Sequence, residues 1–244
     1  MPSVTLGDAH GIAVLDFGSF LDGSARDDVA RAMVDSFKRV GFVYLVNHGI
    51  PKDKIRAMFD WSKRFFAQPM EVKQQAPHPP SGTHHRGYSA PGVEKVVQHI
   101  YDKDALQEVR AKALDVKESF ECGWEESKSM PNIWLPDGTL SGFKEACLDF
   151  YWVGMVIKLE LILPWGGSVP VQELLDEKIT RIDAHSDFGS ITLLLQDDVG
   201  GLEIEDPNNP GQFLVRPSLS SFPSGASPLT WTRTRLPLQS RAPS

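Results

Sequence analysis

Apolar positions along this chain recur at two periods, and the period changes part-way. "IAVLDF" (12–17) is a short, continuous apolar run that predicts a strand. In "SARDDVARAMVDSFKRVG", Val29, Met33, Phe37 and Val40 fall on one stripe of a helix. Ser24 with Asp27 resembles a capping box at its start, and Gly41 ends it. "FVYLV" (42–46) predicts a second strand, closed by the turn "NHGIP". A helix over 52–66 carries Ile55, Met58, Phe59, Phe65 and Phe66 as its apolar face, with Pro69 beyond its end. Residues 76–92, rich in Pro, Gly, Ser and His, predict a long irregular loop. Phe143, Cys147, Phe150 and Ile157 place a third long helix over about 141–163.

After that helix the texture turns to strands. "ITLLLQDDVGGLEIEDPNNPGQFLVRP" holds apolar runs separated by "VGG" and "DPNNPG", the punctuation of antiparallel hairpins. Helices first and strands afterwards predict a helix-backed antiparallel barrel or sandwich, an α+β and β-rich fold. Residues 217–244 differ again, with Pro, Ser, Thr and Arg but no apolar alternation, and predict a disordered tail foreign to what precedes it.

Composition narrows the functional classes. The chain has 244 residues, 41% hydrophobic and 23% charged, values ordinary for a globular protein. Its net charge is −7, and residues 1–206 hold 21 basic against 32 acidic groups, or −11. With no long basic run, nucleic acid is not an expected partner. Cys122 and Cys147 are the only cysteines, which gives no disulfide framework and suits a reducing, cytoplasmic location. The N-terminus lacks the charge and apolar pattern of a signal peptide, and no run is apolar enough to span a bilayer, so no membrane association is expected.

The chemistry concentrates in "RIDAHSDFGSITLLLQ" (181–196). If this run is a strand, side chains alternate, and His185 and Asp187 point to one face while Ser186 points to the other. Burying an imidazole beside a carboxylate is costly unless they bind each other, water or a metal.

Several blocks in order make the chain resemble the Fe(II)/2-oxoglutarate-dependent dioxygenases of the isopenicillin N synthase-like family. They are "VLDFGSFLDGS", "GFVYLVNHGIP", "RGYSAPGVEK", "DVKESFECG", "PNIWLPDG" and "AHSDFGSITLLLQDDVGGLEIED", covering about residues 12–160 and 179–216. The resemblance implies a double-stranded β-helix (jelly roll) core with N-terminal helices. It implies residues 1–140 as an N-terminal region, 141–216 as a partial iron-binding core and 217–244 as a divergent tail. It also implies Fe(II) held by His185 and Asp187, 2-oxoglutarate as co-substrate, O₂, and a small organic molecule as substrate. A histidine, a carboxylate two residues on and a distant second histidine form that family's facial site. An Arg-x-Ser pair shortly after the second histidine clamps the far carboxylate of 2-oxoglutarate, a task that suits the planar guanidinium fork.

Two departures stand against that pattern. His185 is the last histidine of the chain, so no second histidine follows it, and the tail stretch "TRTRLPLQSR" contains no Arg-x-Ser. Residues 163–178 are also shorter than the family's passage there, and the family pattern stops at about Arg216, so the last core strands are expected to be replaced by an unrelated tail. Two readings therefore stand side by side: an oxygenase of this class with impaired turnover, and a non-catalytic truncated form that keeps part of the fold. For the other histidines simpler roles are expected. His84 and His85 are adjacent and diverge, which fits a solvated loop, and His48 is expected to bond to backbone in its turn. His99 shows no pattern that points to chemistry. Cys122 and Cys147 are expected as core or half-buried thiols.

Overall fold

The protein is described from a computed structural model, which covers residues 5–9, 12–80, 84–90, 118–162, 192–195, 202–205, 209, 213–215, 229–232 and 238–240. The chain divides into two compact units, residues 1–50 with 154–244, and residues 51–153.

The first unit is built on a mixed five-stranded sheet. Strands β1 (Thr5–Ala9) and β2 (Ile12–Asp16) form an antiparallel pair, and β3 (Phe42–Val46) lies parallel to β2 with Val14 opposite Tyr44. A parallel neighbour requires a crossover. Here α1 (Gly18–Leu21) and α2 (Arg26–Val40) supply it. All five residues of β3 are buried, as expected of a strand covered on both faces. Ile12, Val14, Phe42, Tyr44 and Val46 form one apolar cluster with Val40 against it, and α2 contributes buried Val29, Met33 and Phe37. Ser36 is buried on α2 because it is fully used: its hydroxyl donates to the Phe42 carbonyl at 2.6 Å and accepts from the Ala13 amide at 3.4 Å. One polar side chain thus ties the helix to both strands.

Helix α2 ends at Gly41 in the left-handed region, as the sequence predicts. Its start differs. The N-cap is Ala25, with no side-chain cap. Ser24 is held instead by the turn before the helix, its amide donating to Asp22 Oδ1 at 2.8 Å and its hydroxyl to the Ser19 carbonyl. That local alternative leaves the expected capping box unformed.

The strands after residue 190 also rearrange the expected pairing. Strand β6 (Thr192–Leu194) pairs antiparallel with β9 (Leu229–Thr232), which itself pairs with β3. Strand β7 (Leu202–Glu205) lies in a separate three-stranded sheet, β10-β7-β8, with β8 (Phe213–Val215) and β10 (Leu238–Ser240). Strands β7 and β8, on either side of "DPNNPG", pair antiparallel as expected, whereas β6 and β7, on either side of "VGG", belong to two different sheets. Sequential strands passing between sheets is how double-sheet folds close. The segment 217–244, expected to be disordered, contributes β9 and β10. "LTWT" alternates an apolar residue with a β-branched threonine, a pattern that suits a strand once a partner edge is offered.

The second unit holds α3 (Lys52–Phe66), α4 (Met70–Lys73), a two-stranded ribbon of β4 (Gly87–Ser89) and β5 (Ser119–Glu121), and the first part of α5 (Phe143–Ile162). Its core centres on Phe65, fully buried and stacked on Phe143 at 4.8 Å, with Phe120 at 4.7 Å and Tyr88 at 6.0 Å. Burying one such ring stabilises by roughly 1.5–3 kcal/mol. Cys147 is buried and Cys122 half-buried in this cluster, as expected. The expected loop over 76–92 is not wholly irregular, since β4 lies within it and pairs with the distant β5. Two long-range apolar contacts, Tyr88 and Phe120, explain that strand, and no local pattern announces it.

Candidate functional site

His185 and Asp187 lie outside the described residues, as does His99. The nearest described element is β6, which begins five residues after Asp187 and is half-buried. Among the described histidines, His48 accepts a hydrogen bond from the Ile50 amide at 3.1 Å, the backbone role expected of it. His84 is half-buried, with its Nε2 3.2 Å from the Pro131 carbonyl.

His85 turns away from its neighbour into a different cluster. Helix α4 ends at Lys73, and the chain at 76–78 then runs alongside β4: the Tyr88 amide donates to the Ala76 carbonyl at 2.6 Å and the His78 amide to the Tyr88 carbonyl at 2.9 Å. This approach needs a glycine at 87. Its φ is +85°, and a Cβ there would lie 2.7 Å from the Ala76 oxygen. On the other side of β4, Gly87 stands opposite Glu121. The result is convergence: His78, His85 and Glu121 offer ligand atoms all within 4.8 Å of one another. His78 Nε2 is 3.9 Å and His85 Nδ1 3.8 Å from the same carboxylate oxygen, Glu121 Oε2. That oxygen is buried and accepts no hydrogen bond. The sequence pattern does not single out His78 or Glu121, because their proximity depends on strand pairing between distant segments.

Beside this cluster lies a satisfied network. Lys73 donates to Glu118 at 2.7 Å and to the Phe66 carbonyl at 3.1 Å, and the Tyr88 hydroxyl donates to Glu118 at 2.6 Å. Burial alone would push the Glu118 carboxyl up; the hydrogen bonds from Lys73 and Tyr88 and the lysine charge hold it below its ordinary value. Tyr88 is pushed well up, first by burial and then by its bond to that carboxylate.

A second knot joins "ECGWEE" to "PNIW". Asn132 accepts from the Gly123 amide at 2.8 Å, returns a bond to the Gly123 carbonyl at 2.9 Å and donates to Glu125 at 2.8 Å. Glu125 also receives Trp134 Nε1 at 2.9 Å and Lys144 at 2.6 Å. The two segments are therefore structural partners, each satisfying the other's polar groups. Next to them Cys122 is held below the usual thiol range, chiefly by a hydrogen bond with Cys147, while Cys147 is pushed up by that bond and by burial.

The described residues form a mixed helix-and-strand fold in which five helices are interleaved with the first strands. A model of the N-terminal region of non-haem dioxygenases, described from morphine synthesis, matches residues 12–137. The proline hydroxylase buaE of Petromyces alliaceus is 35% identical over 227 residues, covering 82% of this chain and 69% of its own. The 2-oxoglutarate-dependent dioxygenase ecdK of Aspergillus rugulosus is 34% identical over 234 residues, covering 83% and 70%. Among solved structures, a full-length Neurospora crassa protein in complex with alpha-KG and thymine superposes with a TM-score of 0.65 at 28% identity, covering 94% of this chain and 76% of that one. The chain belongs to the Fe(II)/2-oxoglutarate-dependent dioxygenase family.

Proposed function

We propose that this chain is an oxygenase that binds Fe(II) through His185 and Asp187, takes 2-oxoglutarate and O₂ as co-substrates, and oxidises a small organic molecule. The observation that carries the reading is the His-x-Asp pair in the sequence, ending five residues before β6 begins, in a chain whose relatives are named as 2-oxoglutarate-dependent dioxygenases. Residues 1–140 would serve as the N-terminal region and 141–216 as the part of the jelly roll that carries the ligands. The donor set fits ferrous iron in kind, an imidazole and a carboxylate, but not in number. With no histidine after 185, residues 217–244 bring strands β9 and β10 without a histidine to serve as the third ligand.

Iron, when bound, supplies the redox chemistry that couples O₂ and 2-oxoglutarate to substrate oxidation. The chain's own part is to hold the metal on one strand face, with His185 and Asp187 two apart. Two protein ligands hold a metal more weakly than three, so metal binding is expected to be weak and reversible and turnover slow. Cytoplasmic location belongs to the same proposal; no helix among the described residues is long and apolar enough to cross a membrane.

The missing third ligand also favours a second reading, in which the chain keeps the fold without turnover. Anaerobic loading with Fe(II), followed by O₂, 2-oxoglutarate and a succinate assay, separates the two. Succinate formation abolished by His185→Ala supports the oxygenase. No succinate above background with iron bound supports the non-catalytic form.

A further inference from the structure

We infer that His78, His85 and Glu121 form a binding site for a divalent transition-metal cation of the zinc class, built from residues other than the His185–Asp187 pair. The chemistry of the three side chains leads there step by step. His78 Nδ1 lies 2.7 Å from the Pro79 carbonyl oxygen, which can only accept, so Nδ1 carries the proton. The neutral ring therefore presents a lone pair at Nε2. A backbone carbonyl holding one imidazole nitrogen so that the other can ligate is the usual support of a metal-binding histidine. That Nε2 faces Glu121 Oε2 at 3.9 Å, and His85 Nδ1 faces the same oxygen at 3.8 Å. Both separations are too long for hydrogen bonds. The carboxylate oxygen is buried and accepts nothing from the protein.

A buried carboxylate oxygen that accepts no hydrogen bond is destabilising unless a positive charge sits beside it. Two imidazoles and one carboxylate are the donor set that zinc takes in its three-ligand sites, where a water completes the tetrahedron. Zinc bonds of about 2.0–2.2 Å hold ligand atoms about 3.3–3.5 Å apart. The 4.8 Å spread seen here therefore closes with side-chain shifts of about an ångström. His78 and His85 flank a Pro- and Ser-containing stretch, and Glu121 ends β5, so a metal would fasten that stretch to the ribbon. The competing occupant is a proton, giving an imidazolium paired with Glu121.

The test uses the full-length chain carrying His185→Ala and Asp187→Ala, so that the other pair contributes nothing and the outcome is independent of the proposed oxygenase activity. After chelation and dialysis, Co²⁺ is titrated and followed by its ligand-field absorption, and Zn²⁺ is added in competition. One cobalt per chain, displaced by zinc, is expected. Adding Glu121→Gln or His78→Ala should weaken binding at least ~10–100-fold. Far-UV circular dichroism checks the fold, and the near-isosteric Glu121→Gln keeps the test valid if His78→Ala unfolds. Absence of bound metal in the background variant, or binding unchanged by both substitutions, overturns the inference in favour of the ion pair.

Discussion

Replacing Gly87 with alanine tests whether the close approach of 76–78 to β4 organises the second unit. Two costs combine. The φ of +85° lies in the left-handed region, where an L side chain loses roughly 1–2 kcal/mol. The added Cβ would also meet the Ala76 oxygen at 2.7 Å and the Pro77 oxygen at 3.0 Å, both backbone atoms that cannot swing aside. Overpacking of this kind costs typically about 1–3 kcal/mol more. Gly23→Ala is the control: its φ is +81°, yet nothing lies within 4 Å of the added methyl, so only the backbone strain applies. Urea unfolding followed by circular dichroism should give about 1–2 kcal/mol for Gly23→Ala and about 2–5 kcal/mol for Gly87→Ala. Equal losses in the two variants would refute the reasoning, because the difference between them isolates the contact between Gly87 and the 76–77 backbone.

Glu118 titrates below its ordinary value in the folded chain, so its contribution to stability is present above the unfolded carboxylate range and lost as pH falls through the folded value. Glu118→Gln should flatten the acid limb of a stability-versus-pH curve, and an unchanged limb would contradict the network. Tyr88→Phe removes a 2.6 Å hydrogen bond to that carboxylate and should cost about 1.5–3 kcal/mol by urea unfolding. Asn132→Ala leaves the Gly123 amide and Glu125 short of partners and should cost about 1–3 kcal/mol, whereas Asn132→Asp should also lose the amide donors. In alkylation followed by mass spectrometry, Cys122 should react before Cys147, and Cys147→Ala should move the Cys122 midpoint to higher pH. Preferential labelling of Cys147 would reverse the assignment.

Local pattern alone was enough to place β2, α2, β3, α3 and α5 on this chain. Each buries an apolar stripe or run whose period is written in consecutive residues, and the helix over 52–66 has the bounds its periodicity predicts. The family was legible because its sequence blocks stand in order along the chain, and two of them meet where the Asn132 side chain bonds the Gly123 backbone. The His-x-Asp pair was likewise visible, because a spacing of two is read from consecutive residues. Tertiary structure decided what depends on distant segments meeting. Ser24 was drawn into a turn by Asp22 and Ser19, "VGG" came to stand between two sheets, and "LTWT" became a strand because β3 and β6 offered it edges. The His78, His85 and Glu121 cluster lies furthest from the reach of sequence. Its three members are unremarkable singly, and they meet only because a glycine at 87 lets one stretch of backbone lie against β4 while β5 pairs on the other side.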